Sequence, residues 1–154
     1  MTGMTTPMPT DPVRSALELT DRWAELLAPA AFASRSIWLS WVTPDGRQTP
    51  FLVPVEDVPA RPRHRLVAEL LALHEDVAAP AGDSRILLAM ALCRPGRPGA
   101  TVDDRAWADA FRDVLDDALG TSWSLHLTAG GRVQPLTDVR HFLDRCTAAE
   151  DAAR

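Results

Sequence analysis

The chain has 154 residues, 46% of them hydrophobic and 24% charged, which is the size and composition of one ordinary globular domain. Its 16 basic and 21 acidic residues give a formal net charge of −5, whereas a domain built to bind a phosphate backbone carries a basic excess; nucleic acid is disfavoured as the main partner. No apolar run approaches the ~18 residues of a membrane span, the 2 cysteines are too few for a disulfide scaffold, and the N-terminus lacks the basic and apolar regions of a secretory signal. These features predict a cytoplasmic protein without a membrane partner.

Residues 1–10, which are rich in Thr, Pro and Met, read as a disordered leader. Residues 11–146 read as a single α/β domain, and residues 147–154 as a flexible polar tail. Asp11 and Pro12 have the chemistry of a helix start, an acidic N-cap followed by proline at the first helical position. Val13, Ala16, Leu17, Thr20, Ala24 and Leu27 follow at helical spacing. Ser36 to Val42 is β-rich, and Thr43-Pro44-Asp45-Gly46 is a turn that returns the chain along Thr49 to Val55. Pro50 and Pro54 place that second strand at a sheet edge, since proline cannot donate to a ladder.

Leu66, Val67, Leu70, Leu71, His74 and Val77 mark a second helix. Ile86 to Leu92, apolar on both faces, predicts a central strand covered on both sides. Cys93 to Gly99 is a Pro/Gly loop. A third helix then turns Ala106, Trp107, Ala110, Phe111, Val114, Leu115 and Ala118 inward and stops at Gly120. Trp123 to Thr128 and Arg132 to Leu136, joined by Gly130-Gly131, predict a second hairpin, and Asp138 to Cys146 a closing helix. The order α-β-β-α-β-α-β-β-α predicts an α/β fold with a single mixed β-sheet flanked by helices.

Little of this carries recognisable chemistry. With no lysine, a lysine-bearing phosphate loop is excluded. The four histidines, His64, His74, His126 and His141, stand singly, so no metal spacing exists, and no cofactor is implied. Arg94 and Arg97 precede a helix start and suggest an anion site; because Asp103 and Asp104 already occupy the helix's first turn, the alternative is that both arginines are solvated or pair with those aspartates. Cys93 ends the central strand and His126 lies on the next, so the two could form a nucleophile and base; a packed thiol and a hydrogen-bonded imidazole are the alternative. The acidic stripe Asp109, Asp113, Asp116 and Asp117 reads as a solvated face, with Arg105 pairing Asp109 and Arg112 pairing Asp116. Thr101-Val102-Asp103-Asp104 reads as a variant capping box. Trp38 and Trp41 must point to opposite faces of their strand. Ile37, Leu39 and Trp41 share one face, and Trp38 and Val42 share the other, a candidate interface for a protein partner or a homodimer unless the first helix folds back over it.

The stretch from Ile86 to Leu136 resembles the RadC-type branch of the JAB/MPN metalloprotease superfamily, in which an apolar strand enters an H-x-H-P motif and a Pro/Gly loop, followed by S-x-x-D opening a helix. Pro95 stands where the motif proline does, and Thr101 to Asp104 where S-x-x-D does. The resemblance implies a metalloprotease-like fold, but Leu92 and Arg94 replace the two metal histidines. The loop is also one residue shorter, and Ser34, Arg35 and Ser36 offer no general-base acid. Asp104 alone does not hold zinc, which takes about four ligands. The expectation is a non-catalytic interaction or ligand-binding domain, a degenerate member of that fold, carrying no stoichiometric zinc. The alternative is a small hydrolase whose pocket at the end of the central strand holds Cys93, Arg94, Thr101, Asp104 and His126.

Overall fold

The computed structural model describes residues 12–27, 32–43, 45–79 and 86–137. The leader, Asp11, the closing helix over 138–146 and the tail lie outside the described residues. Within them the chain runs α1 (Ala16–Leu27), β1 (Ser36–Val42), β2 (Gln48–Val55), α2 (His64–Ala78), β3 (Leu87–Cys93), α3 (Val102–Leu119), β4 (Trp123–Ala129) and β5 (Arg132–Pro135). The strands form a 5-stranded mixed sheet in the order β2-β1-β3-β4-β5. Only β3 and β4 pair in parallel, joined by the α3 crossover; the other neighbours are antiparallel. This is the expected α/β class and element order.

The alternation of each strand divides the interior into two layers. Ile37, Leu39 and Trp41 of β1, Leu88, Met90 and Leu92 of β3, and Leu125 and Leu127 of β4 face one side, where α2 and α3 cover them. Trp107 and Phe111 of α3 are fully buried there, and Ala108 joins them, while Ala118, expected inward, is exposed. The indoles of this layer find acceptors. Trp41 donates to Nδ1 of His74 at 3.0 Å, Trp107 to the carbonyls of Pro59 and Ala60 at 3.1 and 3.0 Å, and Trp123 to Asp116 at 3.0 Å.

The other face is smaller and more polar. It carries Ser36, Ser40, Ala89, Ala91, Cys93, Ser124, His126 and Thr128, all buried, together with Val42 and Leu52. Helix α1 packs on it through Leu19, Trp23 and Leu27. The expected phase of α1 is corrected here: Leu17 is 68% exposed, and the buried stripe is Leu19-Trp23-Leu27 at i, i+4, i+8. Its start also moves. Val13 is used outside the helix, buried and donating its N–H to the carbonyl of Gly46 at 2.8 Å. Ser15 takes over as the cap, its hydroxyl accepting from the Glu18 N–H at 3.1 Å.

The turn glycine Gly46 sits at φ +87°, as a tight β1–β2 connection requires. Strand β2 is an edge, as its prolines predict. Pro50 and Pro54 bring no backbone donor to this edge, which makes it a poorer template for strand addition.

Candidate functional site

The carboxyl end of the β3–β4 pair, where open α/β sheets tend to place sites, is organised by Arg94. It follows directly on β3, and its N–H bonds to the carbonyl of Thr128 at 3.1 Å. The side chain turns inward and is 6% exposed. All three nitrogens of its guanidinium are engaged. Nε donates to both oxygens of Asp104 at 3.0 Å, one Nη to the carbonyls of Pro95 and Arg97 at 3.1 Å, and the other Nη to Gly99 O at 2.8 Å while lying 2.9 Å from Asp104 Oδ2 as an ion pair.

Asp104 is fully buried, and it also closes the capping box of α3. Its carboxylate accepts from the Thr101 N–H at 2.9 Å, while the Thr101 hydroxyl accepts from the Asp104 N–H at 3.2 Å. Burial pushes the Asp104 pKa up, but the bonds from Arg94 and Thr101 outweigh it and hold the carboxyl below its ordinary value. A second pin holds the loop from outside. A Cβ on Gly130, in the β4–β5 turn, would lie 2.5 Å from Pro98 Cδ and 2.8 Å from its nitrogen. Residues 95–99 between these pins are all exposed.

Cys93 and His126 do come to one face. Cys93 pairs in register with Thr128 and Ser36, and His126 with Ala91, one row away. Both are fully buried. Burial pushes the Cys93 thiol up to about 12, against a smaller opposing effect of the Thr128 and Ser36 hydroxyls. His126 lies against Thr20 of α1, with Nε2 3.0 Å from its Oγ1, and burial lowers its pKa to about 4. The thiol is thus held protonated and the imidazole neutral, both under α1, the reverse of an activated pair. Nδ1 of His126, Oγ of Ser124 and Nε1 of Trp23 are buried in the same layer without a hydrogen-bond partner.

Two further expectations are resolved. Arg94 follows the alternative reading, pairing with Asp104, and with the loop carbonyls also taken it is not available to an anion. On α3, Arg112 pairs with Asp109 at 2.8 Å rather than with Asp116, which serves Trp123, and Arg105 makes no ion pair among the described residues. For the candidate interface, Val42 is fully buried beneath the α1 layer, while Trp38 is half-buried and donates to Ser36 Oγ at 3.2 Å. The face that seemed to need a second chain is covered by the chain's own helix.

His74 stands among the periodic positions read for the second helix, but its bond to Trp41 and the Ser15 cap of α1 were not read from the sequence. The Ser15-x-x-Glu18 spacing was the available signal for the cap. Among the described residues no group of three or more His, Cys, Asp or Glu could hold a metal ion, and no helix is long and apolar enough to cross a membrane. A cavity of about 360 Å³ opens between Asp57, Pro59, Arg63, Arg65, Leu66 and Glu69, where Arg65 is paired to Glu69 at 3.5 Å. Comparison with protein-family models, with curated proteins and with solved structures finds no match to this chain.

Proposed function

We propose that this chain is a non-catalytic protein-binding domain whose recognition element is the rigid loop 95–101. The observation that carries the reading is the use of Arg94: a buried guanidinium has all three of its nitrogens bonded to Asp104 or to three carbonyls of an exposed loop. Loops held by a rigid scaffold are where binding residues concentrate, and a loop fixed before binding loses less entropy on docking. The groups that a hydrolase would need here, Cys93, His126, Arg94 and Asp104, are instead buried in structural roles. In this reading the likeness to the JAB/MPN fold is that of a pseudo-enzyme, with Leu92 and Arg94 at the positions of the lost ligands. The free Cys93 suits a reducing compartment, and the cytoplasm is the proposed location.

Three measurements test the reading. Peptide-display selection against the folded protein yields ligands whose amide shifts map to residues 95–101; ligands that map elsewhere overturn it. In a Cys146→Ser background, iodoacetamide leaves native Cys93 unmodified, whereas rapid stoichiometric labelling without unfolding restores the hydrolase alternative. Elemental analysis after dialysis finds no stoichiometric zinc; about one zinc per chain sinks the pseudo-enzyme.

A further inference from the structure

The surface around the pinned loop carries a charge opposite to that of the molecule. Arg97 is exposed within the loop, Arg132 follows the glycine turn that presses on Pro98, and Arg105 is exposed in the opening turns of α3. Register brings the β2–α2 connector to the same end. Ser36 pairs with Cys93, Ile37 with Val55, and the Val58 N–H donates to Arg35 O at 3.0 Å, so exposed Arg61 and Arg63 follow from this edge of the sheet. Among the described residues, none of these five arginines makes an ion pair. The acids at this end, Glu56, Asp57 and Asp103, are fewer, and Asp104 is already taken by Arg94. An arginine excess at one end of a chain with net charge −5 is a local field of reversed sign.

Between Arg97 and Arg105 stands Val102, 84% exposed, a large apolar side chain on a capped helix start. Single-stranded nucleic acid is ordinarily held by aromatic stacking beside the charge. Here the buried Trp107 and Phe111 offer no exposed face, and exposed Phe51 lies toward the other end of β2. Arginine forks around an apolar side chain suit carboxylates flanking an aliphatic residue.

We infer that the loop 95–101 end of the sheet, with Arg97, Val102, Arg105 and Arg132, binds an acidic peptide segment of a protein partner, the peptide's aliphatic residue resting on Val102. The inference rests on the binding-domain reading above and names the partner's chemistry.

The test uses the full chain and a fluorescent peptide of aspartate and glutamate around a single leucine, followed by anisotropy at low ionic strength. The acidic peptide binds, salt weakens it, and Arg97→Glu and Arg132→Glu each weaken it about tenfold. Val102→Asp weakens it as well. These side chains are exposed, so each variant keeps the wild-type amide spectrum, which is recorded as the folding control. Equal binding of a lysine counterpart, or indifference to both charge reversals, overturns the inference. So does tighter binding of a single-stranded oligonucleotide at the same residues. Backbone relaxation separates the two levels. If loop amides 95–101 are as rigid as those of β3 and the acidic peptide still fails, only the partner chemistry falls; if they are mobile, the binding-domain reading falls with it.

Discussion

Arg94 and His126 show how the same degree of burial is tolerated for opposite reasons. The burial of Arg94 is tolerated because Asp104 and three carbonyls replace its water, and a buried ion pair is costly mainly when one member is removed. Arg94→Met therefore leaves Asp104 buried without its counter-charge and is expected to cost about 3–5 kcal/mol. Urea unfolding measures it, and a loss below about 1 kcal/mol means that water reaches the carboxylate. His126 stays neutral because it is buried without a counter-charge, only the Thr20 hydroxyl reaching Nε2. Its pKa of about 4 lies below the ordinary 6.5, so the unfolded chain binds this proton more readily than the folded one. The stability it supports is complete above pH ~6.5 and declines as the pH falls to about 4, by about 3 kcal/mol in total. His74, also lowered by burial, acts in the same direction. His126→Leu should flatten the stability profile across that window, and an unchanged slope would assign the acid sensitivity elsewhere. Trp107 belongs to the apolar core proper, and Trp107→Ala is expected to cost about 3–5 kcal/mol by the same unfolding measurement.

At the level of elements, the β4–β5 turn and the loop 94–101 behave as one unit because a backbone fits against a backbone. Gly130 and Gly131 have φ of +59° and +75°, so a side chain at either is strained. They differ in surroundings: a Cβ on Gly131 meets nothing within 4 Å, whereas one on Gly130 meets the ring and nitrogen of Pro98. Gly131→Ala thus carries the conformational cost alone, about 1 kcal/mol. Gly130→Ala should cost clearly more and loosen residues 95–99, as read by hydrogen exchange together with thermal unfolding. Equal losses would show that the loop and the turn move independently. Helix α1 illustrates the weaker seam, since its sheet face carries Ser124, His126 and Trp23 with unpartnered polar atoms while the α2–α3 side bonds its three indoles.

For the whole molecule, the question is whether the Trp38 face joins two chains or one helix to its own sheet. Leu19, Trp23 and Leu27 occupy the layer that also holds Val42 and Leu52, with Trp38 packed at its margin. Trp38→Glu is therefore expected to lower stability without changing the mass seen by light scattering. A wild-type dimer that the substitution dissociates into folded monomers would instead place a second chain against that margin.

Much of this architecture was legible from local periodicity. The limits of β1, its two faces, the doubly covered β3, the proline-marked edge β2 and the capping box of α3 each follow from neighbouring residues, because strand parity and cap chemistry act within a few positions. The phase of α1 was not legible in the same way. Leu17 and Leu19 are equally apolar, and only the sheet beneath, with Trp23 and Leu27 set on it, decides which one is buried. Nor did the sequence reveal the site. Cys93 and His126 read either as a reactive pair or as a packed thiol and a hydrogen-bonded imidazole, and Arg94 either as an anion ligand or as a partner of Asp103 or Asp104; an arginine's partners and a thiol's solvent access depend on chain segments brought together only on folding. That closure decides for the aspartate pairing, and makes Arg94 the internal support of its own loop.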